Sequence, residues 1–550
     1  MMKSKKCILL IFIALFVGQA FAVKKAEKVP RPKLVVGIVV DQMRWDYLYR
    51  YYERYGDDGF KRLLKDGFSF ENTYINHLPT VTGIGHATVF TGSVPAVHGI
   101  TGNAFTFNST GESTNCVGDD SYQTVGNNSK TGQRSPTHLL VTTIGDELKL
   151  ATNFRAKVIG VSLKDRASIL PAGHSADGAF WYDTKSGEFV TSTYYMDELP
   201  KWVSDFNKEG RAKKYMDQDW NTLYDISTYV QSTEDNKPYE GVLKGQETPT
   251  FPVKLSELYT EDDLSNLYTT PYGNSITLDL AKAAITEEKM GQGDETDMLT
   301  INLASTDAVG HKYGVNSIEV EDTYLRLDKE LGDFFKHLDS QIGEGNYTVF
   351  LTADHGGAHN RYFLEENKIP THVLKTPIQK EMNELLEKKF GVDKIVRSTG
   401  YMQVYFDYQL INEHNLDEQE IRDVCMAYLR RVPEILYAVD MHNVGDASIP
   451  KEIKERIVNG HHPDRSGAIQ FILNPNNAGT KKGTSHSNWN PYDAKIPNLW
   501  MGWGVKKGGQ SVKQAHMEDI APTVSNLLRI TPPNGNIGKS LNEVFEGLDL

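Results

Sequence analysis

Four short apolar runs recur along the chain, and polar or ionisable residues follow each of them. The runs are KLVVGIVVD, KVIGVSLKDR, DMLTINLASTD and YTVFLTADHGG. Nearly continuous runs of β-branched residues are typical of strands that are buried on both faces of a parallel sheet. Helix-like stretches lie between them, for example 137–150 and 319–338. This alternation predicts an α/β fold built on parallel strands.

Ionisable residues stand where each of these runs ends. They are Asp41, Lys164, Arg166, Asp307, Asp354 and His355. In open α/β sheets, ligands bind beyond the carboxyl ends of the strands. We therefore expect these residues, although distant in sequence, to converge on one site.

Two long intervals interrupt the alternation, at about 168–290 and about 360–480. The first contains GAFWYDTKSGEFVTSTYY, whose alternation predicts a hairpin that turns near 185–187. The second contains the helical pattern KTPIQKEMNELLEKKF and the strand-like YMQVYFDY and GAIQFIL. We interpret both as insertions that form a cap over the active edge of the sheet.

The N-terminal 22 residues have the pattern of a secretory signal peptide. Lys3, Lys5 and Lys6 precede an apolar run of twelve residues, CILLIFIALFVG, and AFA at 20–22 is a small-x-small cleavage site. The run is too short to span a membrane, and no later segment is long enough. We therefore expect cleavage near Ala22 and a catalytic domain, 23–550, in the periplasm or outside the cell. Separately, we expect this domain to be a monomer.

Composition and charge narrow the range of partners. Hydrophobic residues make up 39% and charged residues 24%, as in folded soluble proteins. Removing residues 1–22, which carry three lysines and no acid, changes the formal charge from −13 to −16. This charge argues against nucleic acid or anionic lipid as partners, and an anionic substrate would need a local positive centre such as metal ions. After cleavage only Cys116 and Cys425 remain. Two cysteines this far apart in sequence exclude a metal site built on thiolates but allow one disulfide.

Three aspartates and three histidines form a mixed set of potential metal ligands. Asp307 and His311 are four residues apart in STDAVGHKYG, and His486 lies in the polar loop GTSHSNWNPYDAKIP, before the strand-like NLWMGWGV. The other members are Asp41, Asp354 and His355. Such oxygen and nitrogen ligands suit zinc or another divalent transition metal better than calcium or magnesium. We assign structural or supporting roles to His77, His86, His98, His174, His359, His461 and His462.

The stretch TVTGIGHATVFTG, residues 80–92, combines two threonines with closely spaced glycines. Gly83 and Gly85 would permit a tight turn, followed by a helix that stops at Gly92. The Thr82 hydroxyl would then lie near a helix N-terminus, which favours an anion such as phosphate or sulfate. The alternative is that Thr80 or Thr82 only caps this helix.

Several motifs together make the chain resemble the alkaline phosphatase superfamily, and within it the secreted, phosphate-irrepressible (PafA-type) alkaline phosphatases of Gram-negative bacteria. The motifs cover nearly the whole mature chain in the family's order: VVDQMRWDYL, TVTGIGHATVFTGSVPAVHGITGN, SLKDR, GHSADGAFWYD, TSTYY, STDAVGHKYG, TADHGG and GTSHSNWNPYDAKIP. The resemblance implies the alkaline-phosphatase-like α/β fold: a mostly parallel central sheet, flanking helices and inserted cap segments.

The resemblance also assigns roles to individual residues. One zinc ion would bind Asp307, His311 and His486, and a second would bind Asp41, Asp354, His355 and the hydroxyl of Thr82. Thr82 would be the nucleophile that forms a phosphothreonine intermediate, and Thr80 is the rival position. Asn103, Lys164 and Arg166 would contact the phosphoryl group. Without the resemblance, Lys164 and Arg166 are typical of a solvated loop, and Asn103 of a turn beside Gly102.

Departures from related families refine the expected function. TGIGH stands where related phosphodiesterases have a TFPNH-like stretch, and no C/S-x-P-x-R sulfatase motif surrounds Thr82. The resemblance implies that Lys164 takes the place of the third, magnesium site of the serine alkaline phosphatases, so we expect two zinc ions and no essential magnesium. The sequence predicts a secreted phosphomonoesterase acting on small phosphate monoesters. The alternatives are a phosphodiesterase or phosphonate-ester hydrolase on the same scaffold, and a non-catalytic metal- or phosphate-binding protein.

Overall fold

The predicted strands meet in one large mixed sheet. In the computed structural model, which describes residues 29–477 and 480–546, ten strands form this sheet. Their spatial order is Gly509–Ser511, Phe68–Phe70, Asn498–Gly502, Tyr347–Thr352, Leu34–Val40, Asp297–Leu303, Val158–Ser162, Gly178–Asp183, Glu188–Ser192 and Thr124–Val125. The signal peptide expected at 1–22, with its cleavage site near Ala22, lies outside the described residues.

Five neighbouring strands in the middle of the sheet are parallel, and four of them are the predicted apolar runs. All five strands are buried along their whole length. They are Tyr347–Thr352, Leu34–Val40, Asp297–Leu303, Val158–Ser162 and Gly178–Asp183. Parallel strands are buried in this way because helices cover both faces of the sheet. The antiparallel pairings lie towards the two edges.

The register brings the carboxyl ends of the central strands together. Val40 pairs with Leu303, and Val39 pairs with Thr352. Residues that follow these strands therefore share one edge of the sheet, as the sequence predicts.

Helices surround this sheet. One of the two helices that the sequence predicts is present over its whole predicted range, and the other over only part of it. Ile318–Gln341 covers the predicted 319–338, with the Ser317 side chain capping its first turn. The helix predicted at 137–150 starts only at Ile144, because Thr143 and Asp146 form a capping box there. The α-helices are Tyr47–Arg50, Phe60–Asp66, Thr82–Thr91, Pro95–His98, Ile144–Ala151, Asp165–Ala172, Lys201–Lys208, Arg211–Met216, Tyr272–Glu287, Ser305–Tyr313, Ile318–Gln341, Arg361–Glu366, Ile378–Phe390, Tyr408–Glu413, Glu418–Leu429, Lys451–Asn459, Pro491–Ala494 and Ile520–Leu528.

The first interval, about 168–290, is not separate from the central sheet. Its predicted hairpin exists, with Gly187 at φ 74° in the turn. Its first strand, Gly178–Asp183, pairs in parallel with Val158–Ser162 and so extends the sheet, and the boundary near 168 falls within the helix Asp165–Ala172. The sequence pattern identifies the hairpin but not its partner strand, because that pairing is set by tertiary packing.

The second interval, about 360–480, builds a small sheet of its own. Four antiparallel strands lie in the order Val396–Ser398, Gln403–Phe406, Ile469–Leu473 and Ile435–Asp440. Side chains of the helices Ile378–Phe390 and Glu418–Leu429 share one hydrophobic cluster with this sheet. The remaining short strands are Thr73–Tyr74, Ala104–Thr106, Ser113–Asn115, Asp219–Trp220, Val253–Lys254, Lys495–Ile496 and Ala515–His516.

The two cysteines lie in different parts of the fold. Cys425 belongs to the cluster of the second interval, whereas Cys116 packs beside the helix Thr82–Thr91. Both thiols are buried and free, so the disulfide that the sequence allows does not form. Of the helices that the structure describes, none combines the length and apolar character needed to cross a membrane.

Candidate active site

A fully buried group of three residues follows two central strands. Asp41 comes directly after Leu34–Val40, and Asp354 and His355 follow Tyr347–Thr352. Nε2 of His355 lies 3.6 Å from Oδ1 of Asp41 and 3.4 Å from Oδ2 of Asp354. All three side chains are 0% exposed. We call this group the buried triad.

A second group of three lies at the same edge of the sheet and reaches solvent through one of its members. Asp307 and His311 share one face of the helix Ser305–Tyr313, and Nε2 of His311 lies 3.1 Å from Oδ1 of Asp307. His486 lies in the predicted polar loop, with Nε2 3.2 Å from that of His311 and 3.8 Å from Oδ1 of Asp307. We call this group the open triad, because the His311 side chain is 40% exposed.

Hydrogen bonds to the backbone orient the three histidines. Nδ1 of His355 contacts the carbonyl of Gly356 at 2.9 Å, and Nδ1 of His311 contacts that of Thr484 at 3.0 Å. Nδ1 of His486 lies 2.7 Å from the carbonyl of Thr80. Each Nδ1 therefore carries the proton and leaves Nε2 as a free lone pair, which is the usual arrangement around a metal ligand.

The buried triad fits a cation. Oδ1 of Asp41, Oδ2 of Asp354 and Nε2 of His355 are buried without a hydrogen-bond partner among the described residues. Burial and the neighbouring Asp41 carboxylate raise the pKa of Asp354 well above its usual range. A metal ion bound by these atoms would satisfy all three and remove the repulsion between the carboxylates. The ligand atoms of each triad lie within 4.8 Å of one another, a spacing that suits one ion per triad.

Thr82 is the first residue of the helix Thr82–Thr91 and is 1% exposed. Neither threonine caps this helix, since Val81 occupies the N-cap position without a side-chain hydrogen bond. The hydroxyl of Thr80 contacts the backbone of the His486 loop, donating to the carbonyl of Asn488 and accepting from the N–H of Ser487. The Thr82 hydroxyl instead lies 3.3 Å from Nζ of Lys164.

The predicted tight turn at Gly83 and Gly85 is wrong, because both glycines lie inside this helix. Gly85 is needed for close approach: a Cβ there would lie 2.4 Å from the carbonyl oxygen of Asp354. The helix can therefore pack directly on the loop that carries the buried triad. His86, on the same helix, has Nδ1 3.6 Å from Oδ2 of Asp354, and burial lowers its pKa to about 4.

Lys164 joins the two triads. Its Nζ donates to Oδ2 of Asp41 at 2.8 Å and to Oδ2 of Asp307 at 2.7 Å. Burial alone lowers the pKa of Lys164, but the two carboxylates outweigh it and leave the pKa raised. Lys164 is therefore a buried cation that neutralises one carboxylate from each triad.

Arg166 and Asn103 approach the same region with free donors. Burial lowers the pKa of Arg166, but the surrounding groups, Asp165 first among them, together outweigh burial and leave the pKa raised. Nε of Arg166 is buried without a hydrogen-bond partner among the described residues. Oδ1 of Asn103 accepts from the N–H of Gly83 at 2.8 Å, so its NH₂ group points away from that bond. Tyr401, from the second interval, accepts a 3.3 Å hydrogen bond from the N–H of Asn103.

Four residues that sequence reasoning missed hold this arrangement together. Asn302 donates to Oδ2 of Asp41 and accepts from the hydroxyl of Ser162, which in turn accepts from the N–H of Lys164. The Thr306 hydroxyl donates to the Asp41 carbonyl at 2.6 Å, and Gln42 contacts both triads. All four lie within three residues of the ends of central strands, and that position is the only signal in the sequence that points to them.

The chain matches the family model described as "Type I phosphodiesterase / nucleotide pyrophosphatase" over residues 35–493. The chain belongs to this family. Among its relatives, a protein of Myroides odoratus named "Calcium-transporting ATPase" is 52% identical over 533 residues, which cover 96% of this chain and 97% of that protein. Alkaline phosphatase PafA of Elizabethkingia meningoseptica is 51% identical over 549 residues, which cover 99% of this chain and 100% of that protein. Alkaline phosphatase PhoV of Synechococcus elongatus is 50% identical over 554 residues, which cover 98% of this chain and 100% of that protein.

A solved structure shares the fold throughout. The crystal structure of wild-type PafA matches with a TM-score of 0.92 and 52% identity, covering 94% of this chain and 100% of that chain. A PafA variant with four substitutions gives the same TM-score. The predicted alkaline-phosphatase-like fold and the resemblance to this enzyme group are therefore confirmed. The protein is an enzyme of the alkaline phosphatase superfamily.

Proposed function

We propose that this protein is a zinc-dependent alkaline phosphatase that hydrolyses small phosphate monoesters through a phosphothreonine intermediate on Thr82. The observation that carries the proposal is the meeting of two triads at one buried lysine, which also contacts the Thr82 hydroxyl. A nucleophile beside two cation sites suits phosphoryl transfer, which depends on positioning and charge stabilisation.

The two triads would each hold one zinc ion. Asp307, His311 and His486 form one ligand set, and Asp41, Asp354 and His355 form the other, completed by the Thr82 hydroxyl. Carboxylate and imidazole ligands are typical of zinc. Bound zinc supplies Lewis acidity, which lowers the pKa of a coordinated hydroxyl and stabilises charge on phosphoryl oxygens. With Lys164 between the triads, two ions suffice and magnesium is not required.

Thr82 would attack the phosphorus atom of the ester. A bond forms between its Oγ and phosphorus, while the bond from phosphorus to the leaving-group oxygen breaks and the alcohol leaves. Water then attacks phosphorus, which releases inorganic phosphate and restores the Thr82 hydroxyl. The start of the helix at Thr82 favours the negative charge that develops there.

Asn103, Lys164 and Arg166 would bind the phosphoryl oxygens. The unpartnered Nε of Arg166 and the outward NH₂ group of Asn103 are donors that suit a dianion. In the PafA variant, the substituted threonine and asparagine are 21 residues apart, and the substituted lysine and arginine are two apart. The same separations occur in this chain: 21 residues between Thr82 and Asn103, and two between Lys164 and Arg166.

Secretion is part of this proposal and rests on the pattern of residues 1–22. The mature chain would act as a monomer in the periplasm or outside the cell. Its negative net charge disfavours nucleic acid and anionic membranes as partners. The metal centre and Arg166 would supply the positive potential that the substrate needs.

The test combines metal analysis with two substrates. The purified mature chain should contain about two zinc ions, lose activity on chelation and regain it with zinc. It should also turn over a phenyl phosphate monoester far faster than the matching methyl phenyl diester. Full activity in a zinc-free preparation would overturn the metal assignment.

A phosphodiesterase is the second candidate, and the description of the family model favours it. On this reading, the methyl diester would be the better substrate in the same assay. TGIGH at residues 82–86 and the basic pair Lys164 and Arg166 argue for the monoesterase, because a dianion has a further charged oxygen that these groups can bind.

A further inference from the structure

Gln42 has an unusual backbone conformation beside the buried triad. It follows Asp41 directly, and its φ of 60° lies in the left-handed region, which few residues other than glycine adopt. Its side chain is buried, with the residue only 2% exposed. A conformation of this kind costs free energy and persists only where the surrounding contacts compensate for it.

The contacts of Gln42 reach both triads. Its backbone N–H donates to Oδ1 of Asp354, in the buried triad, at 3.1 Å. Its side-chain Nε2 donates to Oδ1 of Asp307, in the open triad, at 2.6 Å. The left-handed turn is what allows one residue to direct both donors towards carboxylates that lie 47 positions apart in the chain.

The carboxamide meets the oxygen of Asp307 that faces the histidines. Oδ1 is the atom that lies 3.1 Å from Nε2 of His311, whereas Oδ2 is held by Lys164. A neutral amide donor can fix the direction of this oxygen without adding a positive charge where a cation binds. Lys164 and Gln42 thus hold the two oxygens of Asp307 separately.

Two glycines leave room for this carboxamide. A Cβ on Gly310 would lie 2.1 Å from Oε1 of Gln42, and a Cβ on Gly357 would lie 3.0 Å from it. Gly310 stands on the helix Ser305–Tyr313, between Asp307 and His311. A side chain at position 310 would therefore have to displace the Gln42 carboxamide from its place beside Asp307.

We propose that Gln42 is a positioning residue that fixes the open triad relative to the buried triad. The inference rests on the proposed function, because it takes Asp307 and Asp354 as metal ligands. Residues that orient metal ligands contribute about 10- to 100-fold to metal affinity. Replacing only the side chain removes the bond to Asp307 but keeps the backbone bond to Asp354, so the loss should fall on the open triad.

The experiment measures zinc binding to the full mature chain by competition with a chelator of known affinity. Gln42→Met keeps the length of the side chain without a donor. Gln42→Asn keeps the amide, and asparagine tolerates a positive φ well, but it is one methylene too short to reach Asp307. Both variants should bind one zinc ion about 10- to 100-fold more weakly and the other as wild type does.

The matched control is Gln470→Met. Gln470 is also buried, and its Nε2 donates to the carbonyl of Met402 in the second interval rather than to a residue of either triad. This variant should bind both zinc ions as wild type does. Gly310→Ala should displace the carboxamide and weaken the same single ion, and combining it with Gln42→Met should add little, since both act through one hydrogen bond.

The outcomes separate the two hypotheses. A wild-type chain that binds no zinc would overturn the proposed function. Wild-type zinc affinity at both sites in Gln42→Met, Gln42→Asn and Gly310→Ala would overturn the role of Gln42 and leave the proposed function intact. Equal weakening of both ions would also overturn it, because that result indicates a general loss of packing. If Gln42→Met fails to fold, the other two variants decide.

Discussion

The contacts of Lys164 and Arg166 predict that the two residues act differently on monoesters and diesters. Lys164 binds one carboxylate of each triad, so its removal should disturb the ligands themselves. Arg166 forms no hydrogen bond with either triad, and its Nε is buried and unpartnered. Arg166→Ala should therefore leave the metal ligands in place and remove a contact to the phosphoryl group, together with the 3.7 Å ion pair between Arg166 and Asp165.

The size of the effect follows from the type of contact. A charge-assisted hydrogen bond to an oxygen that gains charge in the transition state contributes about 2 to 4 kcal/mol in a site that excludes water. This corresponds to a loss of roughly thirty- to a thousand-fold in kcat/KM for the monoester. The methyl diester lacks that charged oxygen, so its hydrolysis should fall by less than about threefold.

The assay compares kcat/KM for phenyl phosphate and for methyl phenyl phosphate in Arg166→Ala, Lys164→Ala and the double variant, with zinc content measured for each. Lys164→Ala should lower both activities, because Asp41 and Asp307 lose the cation between them. The double variant should still lose far more monoesterase than diesterase activity, and the two losses need not add. Arg422→Ala is the control, since Arg422 is also largely buried and pairs with Glu418 and Asp440.

One result would refute this reasoning. If Arg166→Ala kept its zinc but lost both activities by the same factor, Arg166 would support the fold of the site rather than recognise the dianion. The preference for monoesters would then need another physical cause.

Two further predictions concern the nucleophile and a buried carboxyl group. Thr82→Ala should fold and bind zinc but lose at least about a thousandfold in turnover, whereas Thr82→Ser should keep part of it; a phosphorylated peptide that lacks Thr82 would contradict the assignment. Burial raises the pKa of Asp493 to about 8 in the folded chain. The neutral carboxyl group therefore adds to the free energy of unfolding in full below the unfolded pKa of about 3.9, and this contribution is lost as the pH rises towards 8. Asp493→Asn should therefore reduce the fall in Tm between about pH 5 and about pH 9, and an unchanged pH profile of Tm would count against it.

The positions of the three aspartates could be predicted from the sequence because two regular features define them. Buried parallel strands have a recognisable apolar pattern, and their carboxyl ends meet at one edge of the sheet. Asp41, Asp307 and Asp354 follow such strands, so their convergence required no knowledge of side-chain packing. His486 lies in a loop, where no strand end defines its position; the polar loop made it a candidate ligand, and the family resemblance assigned it to the set of Asp307 and His311.

The contacts of Gln42 and Lys164 could not be predicted in the same way. Gln42 reaches Asp307 through a left-handed turn, and a glutamine carries no sequence signal for that conformation. Without the family resemblance, Lys164 and Arg166 are typical of a solvated loop. In the structure a helix begins at Asp165, and Nζ of Lys164, just before it, bonds to carboxylates of both triads. Such contacts depend on where one element ends and the next begins, and patterns place those boundaries only to within a few residues.

The difference in exposure between the two triads has a kinetic consequence. A chelator can reach an ion beside His311, whose side chain is 40% exposed, but must wait for the protein to open before it reaches one beside Asp41, Asp354 and His355. Brief chelation should therefore yield a half-loaded enzyme that retains the inner ion and is inactive. A purified sample with one zinc ion per chain would then record the history of its preparation, rather than a mechanism that needs only one metal.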